Sequence, residues 1–202
     1  MELLLATGNR HKRDEFQAIL PEHRIVIPED LGTSFECEET GASFCENSLI
    51  KAAFLHARAE GRPVIADDSG LCVEALDGAP GIRSARYGED EGTSLSSQEK
   101  YELLLRNLQG KTNRNAAFVC SLVFYIDDLR YFIFQETCRG IIAEAPRGSG
   151  GFGYDPVFFI PETGRTMAEL SEEEKNRISH RGKAGSALRK FLQSYGDDLG
   201  VV

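Results

Sequence analysis

Apolar residues along the chain recur at two spacings, and their succession predicts a sheet flanked by helices. Leu3-Leu4-Leu5-Ala6 reads as a short buried strand. Phe16, Ile19 and Leu20 then fall at helical spacing between Lys12 and Leu20, and Pro21 stops that helix. Thr7-Gly8-Asn9 is therefore a strand-to-helix turn. Arg24-Ile25-Val26-Ile27 is a second strand, followed from Pro28 by a loop that turns acidic at Glu36, Glu38 and Glu39. Ser43 to Glu46 fits a capping box for a helix through Ala52, Ala53 and Leu55 that Gly61 ends. Ser96 to Glu99 opens another through Tyr101, Leu104, Leu105 and Leu108, with Gly110 beyond. Between Asn115 and Glu144, two runs rich in Val, Ile, Phe and Tyr flank a hairpin turn at Asp127-Asp128, and a third strand is expected from Gly140. Val157-Phe158-Phe159-Ile160 adds a strand, and helices follow from Ser171 and from Lys183 to Tyr195. The whole reads as one α/β unit with a mixed sheet.

The 202 residues, 41% of them hydrophobic, suffice for a substantial core. The longest apolar run, Ala116 to Ile126, is too short to cross a bilayer. The amino terminus is acidic at Glu2, lacks a basic segment and reaches Thr7 and Gly8 quickly, so no signal peptide is expected. Five cysteines without CxxC spacing argue against a disulfide framework or a zinc site, and reduced thiols imply a cytoplasmic protein. A net charge of −9 removes the usual driving force for binding a nucleic acid duplex.

Against this background, one segment stands out. Ala66-Asp67-Asp68-Ser69-Gly70-Leu71 follows the apolar Pro63-Val64-Ile65, placing adjacent carboxylates at the end of a buried strand, where they are costly unless a cation meets them. An ordinary Asp-Ser-Gly turn is the plain alternative. Five further segments are as odd. Thr7-Gly8-Asn9-Arg10-His11-Lys12 offers backbone N–H groups and a lysine at a helix start, as an anion site requires, although without Walker A spacing. Glu38-Glu39-Thr40-Gly41 leads into a helix whose Asn47 and Lys51 share a face, and Glu39 is a candidate hard ligand for Mg²⁺. Leu76 to Tyr87 packs glycines and a proline around Arg83 and Arg86. Gly148 to Pro156 contains GxGxxG but neither a preceding strand nor a following helix, which fits a flexible loop presenting Phe152 or Tyr154 to a flat ring better than a dinucleotide fold. Lys175 to Arg181 gathers cations and His180 in an acidic chain, as a solvated helix end also would.

Taken in order, Thr7-Gly8-Asn9-x-x-Lys12, Glu39-Thr40-Gly41-x-Ser43-Phe44-x-x-Asn47, Ala66-Asp67-Asp68-Ser69-Gly70, Gly81-Ile82-x-Ser84-Ala85-Arg86, Gly151-Phe152-Gly153-Tyr154-Asp155-Pro156 and Lys175-Asn176-x-Ile178-Ser179-His180-Arg181 resemble the Ham1 family of inosine and xanthosine triphosphate pyrophosphatases. The resemblance implies an elongated α/β fold, a mixed sheet flanked by helices with two lobes around a central cleft, in a single domain spanning residues 1–202. It implies a cytoplasmic homodimer and Mg²⁺-dependent cleavage of ITP, dITP or XTP to monophosphate and pyrophosphate. Carried over by position, the metal ligands fall on Glu39 and Asp68 and the proton acceptor on Asp68. Substrate contacts fall on Thr7, Gly8, Asn9, Arg10, His11, Lys12, Ser69, Phe152, Gly153, Tyr154, Asp155, Lys175, His180 and Arg181.

These residues support in-line attack of water on the α-phosphorus, with Lys12, Lys175 and Lys51 holding the polyphosphate. Asp67 stays open beside Asp68 as the base, because a metal ligand is the weaker base. Phe152 offers a stacking face, and donors from His180 and Arg181 suit a 6-keto oxygen. Two rivals remain: a nucleotide sensor that does not cleave, and a pyrophosphatase acting on modified pyrimidine nucleotides.

Overall fold

The structure, a computed structural model, describes residues 1–89, 93–196 and 198–199. Among these residues seven strands form one mixed sheet in the order β2-β1-β3-β4-β5-β6-β7. They are β1 (Glu2–Leu5), β2 (Arg24–Val26), β3 (Val64–Val73), β4 (Asn115–Asp127), β5 (Arg130–Ile142), β6 (Phe158–Ile160) and β7 (Arg165–Thr166). Among the described residues five α-helices accompany them: α1 (Arg10–Ile19), α2 (Phe44–His56), α3 (Ser97–Asn107), α4 (Glu172–Ile178) and α5 (His180–Tyr195). β1 pairs in parallel with β2 and β3, whereas β6 is antiparallel to both β5 and β7.

The chain forms two compact units, the first comprising residues 1–68, 120–136 and 180–202 and the second residues 69–119 and 137–179. In the first unit, strand alternation sorts side chains onto two faces. Leu3, Leu5, Ile25, Ile65, Leu122 and Phe124 pack with Phe16 and Ile19 of α1 and with Ala184, Leu188 and Leu192 of α5. The intervening Leu4, Ala6, Val26, Val64, Ala66, Val123 and Tyr125 pack with Ala52 and Leu55 of α2. The second unit closes around Leu71, Val73, Leu104, Leu108, Phe118, Tyr154, Phe158 and Met167.

Several expected boundaries move, among them the start of α5, at His180 and not Lys183. The strand that was to end at the aspartates runs on to Val73, so Asp67 and Asp68 lie within β3. The expected third strand at Gly140 is the continuation of β5. A Cβ there would sit 2.5 Å from the Phe159 carbonyl oxygen and 2.8 Å from the Phe158 ring, so this glycine permits close strand approach and breaks nothing. α2 ends at His56, short of Gly61, and its capping box is incomplete. Ser43 accepts from Glu46 N, but the Glu46 carboxylate takes the Ala42 N–H. The α3 box is reciprocal, as expected.

All five cysteines are free, and burial pushes the Cys120 thiol up to about 12. Alkylation of the native protein at pH 8, followed by peptide mass spectrometry, is expected to label Cys37, Cys45 and Cys72 and to spare Cys120 until denaturant is added. Gly140→Ala is expected to destabilise the protein by about 1–3 kcal/mol, as forced overpacking does, measured by denaturant unfolding.

Candidate active site

Strand parity decides the partners of the two aspartates. Asp67 shares the face of Ile65, beneath α1 and α5, while Asp68 shares the face of Ala66, beneath α2. The first carboxylate is fully buried. Lys12 Nζ of α1 lies 3.0 Å from Asp67 Oδ1, and Arg181 of α5 gives Nε and a terminal nitrogen to Oδ2 at 3.3 and 3.1 Å. The other terminal nitrogen of Arg181 reaches Glu15 at 2.6 Å. Burial alone would raise the Asp67 pKa, but the charges of Lys12, Arg181 and Lys51 outweigh it and hold this carboxyl well below the usual range.

Asp68 meets a different set. Lys51 Nζ approaches its Oδ1 at 3.1 Å and Glu39 Oε1 at 3.0 Å, so one ammonium stands between two carboxylates. Asn47 donates its amide to Asp68 Oδ2 at 3.2 Å and accepts the Gly41 N–H at 2.8 Å, tying the Glu39 loop to β3. A Cβ on Gly41 would come within 2.7 Å of that Asn47 oxygen, so a side chain there would crowd it. Burial raises the Asp68 pKa despite Lys51 and Lys12, so the pKa values of the adjacent carboxyls are shifted in opposite directions.

The Thr7–Lys12 turn is more self-contained than an open anion cradle. Asn9 caps α1 by accepting from His11 N and Lys12 N, and its own N–H goes to the Thr7 hydroxyl. Arg10 forms a bidentate pair with Glu29 on the exposed surface, away from the buried carboxylates. His180 and Arg181 are buried at the start of α5, and Arg181 commits its guanidinium to Asp67 and Glu15.

The second unit holds the remaining candidates. Asp155 Oδ2 accepts from Phe152 N and from Lys175 Nζ, each at 2.8 Å. The Lys175 ammonium lies 5.0 Å from the centre of the Phe152 ring, within cation–π range. Lys175 is therefore buried beside an acid and an aromatic ring instead of ending a solvated helix. Gly153 takes a positive φ of 63°, and Gly151 leaves no space for a Cβ beside Asp155. Tyr154, expected to share the presentation of a ring face, packs in the unit's core with its hydroxyl on the Ser84 carbonyl at 2.9 Å. Phe152 is half-buried. Ser69 follows Asp68 within β3.

Sequence reasoning missed Glu15 and Ser48. Glu15 lies three residues after Lys12 on one helix face, a visible signal. Nothing in the local sequence ties Ser48 to Asp68. Among the described residues, no group of three or more His, Cys, Asp or Glu is placed to hold a metal ion. Two carboxylates converging on one cation fit Mg²⁺ nonetheless, because that ion takes one or two carboxylates and completes its shell with water and phosphate.

The Ham1 family model matches residues 3–191. A dITP/XTP pyrophosphatase of Treponema denticola is 50% identical over 193 residues, covering 96% of this chain and 99% of that protein. One from Geobacillus kaustophilus is 47% identical over 192 residues, covering 93% and 92%. The solved Ham1 protein of Staphylococcus aureus superposes with a TM-score of 0.83 at 40% identity, and that of Coxiella burnetii with 0.85 at 38%; each comparison covers 96% of this chain and 99% of the other. Continuous similarity of this extent, with the fold in common, places the chain in the Ham1 family.

Proposed function

We propose that this protein hydrolyses aberrant purine nucleoside triphosphates (ITP, dITP and XTP) to the monophosphate and pyrophosphate with Mg²⁺, as a cytoplasmic homodimer. The observation that carries the reading is the separation of Asp67 from Asp68, with Glu39 and Asp68 both turned toward one cation. Similarity to relatives named dITP/XTP pyrophosphatases supports the substrate class. No helix among the described residues is long and apolar enough to cross a membrane.

Glu39 and Asp68 would hold the metal, which when bound neutralises charge on the polyphosphate. The chain's own residues do the rest. Asp68 accepts the proton of the water that attacks the α-phosphorus, while the bond to the bridging oxygen breaks and pyrophosphate leaves. Asp67 is a poor candidate for that proton, since Lys12 and Arg181 stabilise its ionised form. Its task is to anchor β3 from the opposite face. Lys51, on a flexible four-carbon stem, would hold phosphate if Mg²⁺ were bound by Glu39 and Asp68. In the second unit, Phe152 supplies a ring face for the base and Lys175 an ammonium for phosphate, both positioned by Asp155. Recognition of the 6-keto oxygen is assigned to the start of α5, to His180 and not to the Arg181 guanidinium, which Asp67 and Glu15 hold; an adenine amino group would leave a donor unpaired there.

Asp68→Asn is expected to lower kcat by about 10²–10⁴-fold, the usual worth of a positioned base, with a far smaller change in KM. Near-wild-type turnover by the folded variant contradicts the assignment. Pyrophosphate release across ITP, dITP, XTP, GTP, ATP and modified pyrimidine triphosphates, with and without Mg²⁺, is expected to favour the first three and to vanish with EDTA. Equal efficiency on ATP contradicts keto recognition, binding without cleavage identifies a sensor, and a preference for pyrimidines identifies the other enzyme class.

A further inference from the structure

Ser48 stands on α2 between the residues that grip the Asp68 carboxylate, and it is fully buried. Its Oγ accepts the Asp68 main-chain N–H at 2.7 Å and donates to the Ser121 carbonyl of β4 at 2.6 Å. A hydroxyl has a single proton, so these contacts give it a defined polarity, from amide to hydroxyl to carbonyl. β1 ends at Leu5, opposite Ile65, so at Asp68 β3 has run past that neighbour, whose carbonyls would ordinarily take strand amides. At Asp68 the amide proton goes to a helix side chain instead.

The three α2 contacts divide the work. Asn47 and Lys51 hold the two carboxylate oxygens, and Ser48 holds the peptide that carries them. That peptide also joins Asp68 to Asp67, so a rotation there would disturb the Lys12–Arg181 network on the other face as well. Side-chain contacts alone restrain a carboxylate about its own bonds; the hydroxyl bridge restrains the strand that aims it.

We infer that Ser48 is a positioning residue for the proposed hydrolysis, fixing the Asp68 peptide without touching substrate. The inference rests on the assignment of Asp68 as proton acceptor. Ser48→Ala leaves the Asp68 amide without this partner, and since misplacement by about 1 Å can cost about 10²-fold, kcat for ITP is expected to fall at least about tenfold. KM is expected to stay within about twofold, because substrate contacts are untouched. Ser48→Thr, which keeps the hydroxyl, is expected to restore most of kcat. Ala52→Gly, buried on the same helix and bonded to neither aspartate, is the control for a plain loss of helix stability. Unchanged kcat in Ser48→Ala, or an equal fall in Ala52→Gly at matched thermal stability, overturns the inference. Should the alanine variant not fold, the near-isosteric Ser48→Cys is assayed and judged by the same criteria. A wild type without turnover removes the hydrolase reading and this inference together; an active wild type with an indifferent Ser48→Ala removes the inference alone.

Discussion

The centre of the first unit depends on one constraint, the alternation of side chains along β3. Successive residues of a strand face opposite sides, so the two neighbouring aspartates cannot share an environment. Asp67 goes beneath α1 and α5, where Lys12 and Arg181 answer it. Asp68 goes beneath α2, where Lys51 is shared with Glu39. A slip of one residue in register would exchange these roles and bring apolar neighbours to the wrong faces as well. The apolar sorting of Val64, Ile65 and Ala66 thus fixes where the acids point.

Burying charges in mid-strand is expensive, and the structure offsets the cost with paired, hydrogen-bonded partners. Lys12, Asp67, Arg181 and Glu15 form a network in which each acid has a cation within 3.1 Å. On the α2 side one ammonium serves two carboxylates, an arrangement that suits a cation of higher charge. The first network locks the strand, and the second holds the groups proposed to bind metal and take the proton. Adjacent residues of the same type thereby acquire opposite pKa shifts.

Much of this was legible in the sequence where the signal is local. The apolar spacing of α1 and β1, the α3 capping box and the hairpin near Asp127 all rest on residues within a few positions of one another. The continuation of β3 through its polar run was not legible, because the groups that make it tolerable come from elsewhere; Arg181 lies 114 positions from Asp67. Gly140 was read as a break for a related reason, since the need for a small residue arises from β6 packing close by. Of the residues that the ordered motifs marked, Glu39 and Asp68 meet at Lys51, and Phe152 and Lys175 meet at Asp155. Tyr154 belongs to the core, and Asp155 turned out to organise Phe152 and Lys175. Ser48 left no mark in the local pattern, because a buried serine on a helix resembles any small core residue until its bridge to β3 and β4 is seen.

The most direct test of the account is to locate the metal. Crystals grown with Mn²⁺ and a non-hydrolysable analogue of ITP, measured at the manganese edge, should give an anomalous peak bonded at about 2.1 Å to an oxygen of Glu39 and an oxygen of Asp68, with the Lys51 ammonium displaced. A fully occupied peak that touches neither carboxylate, with Lys51 still between them, would contradict it.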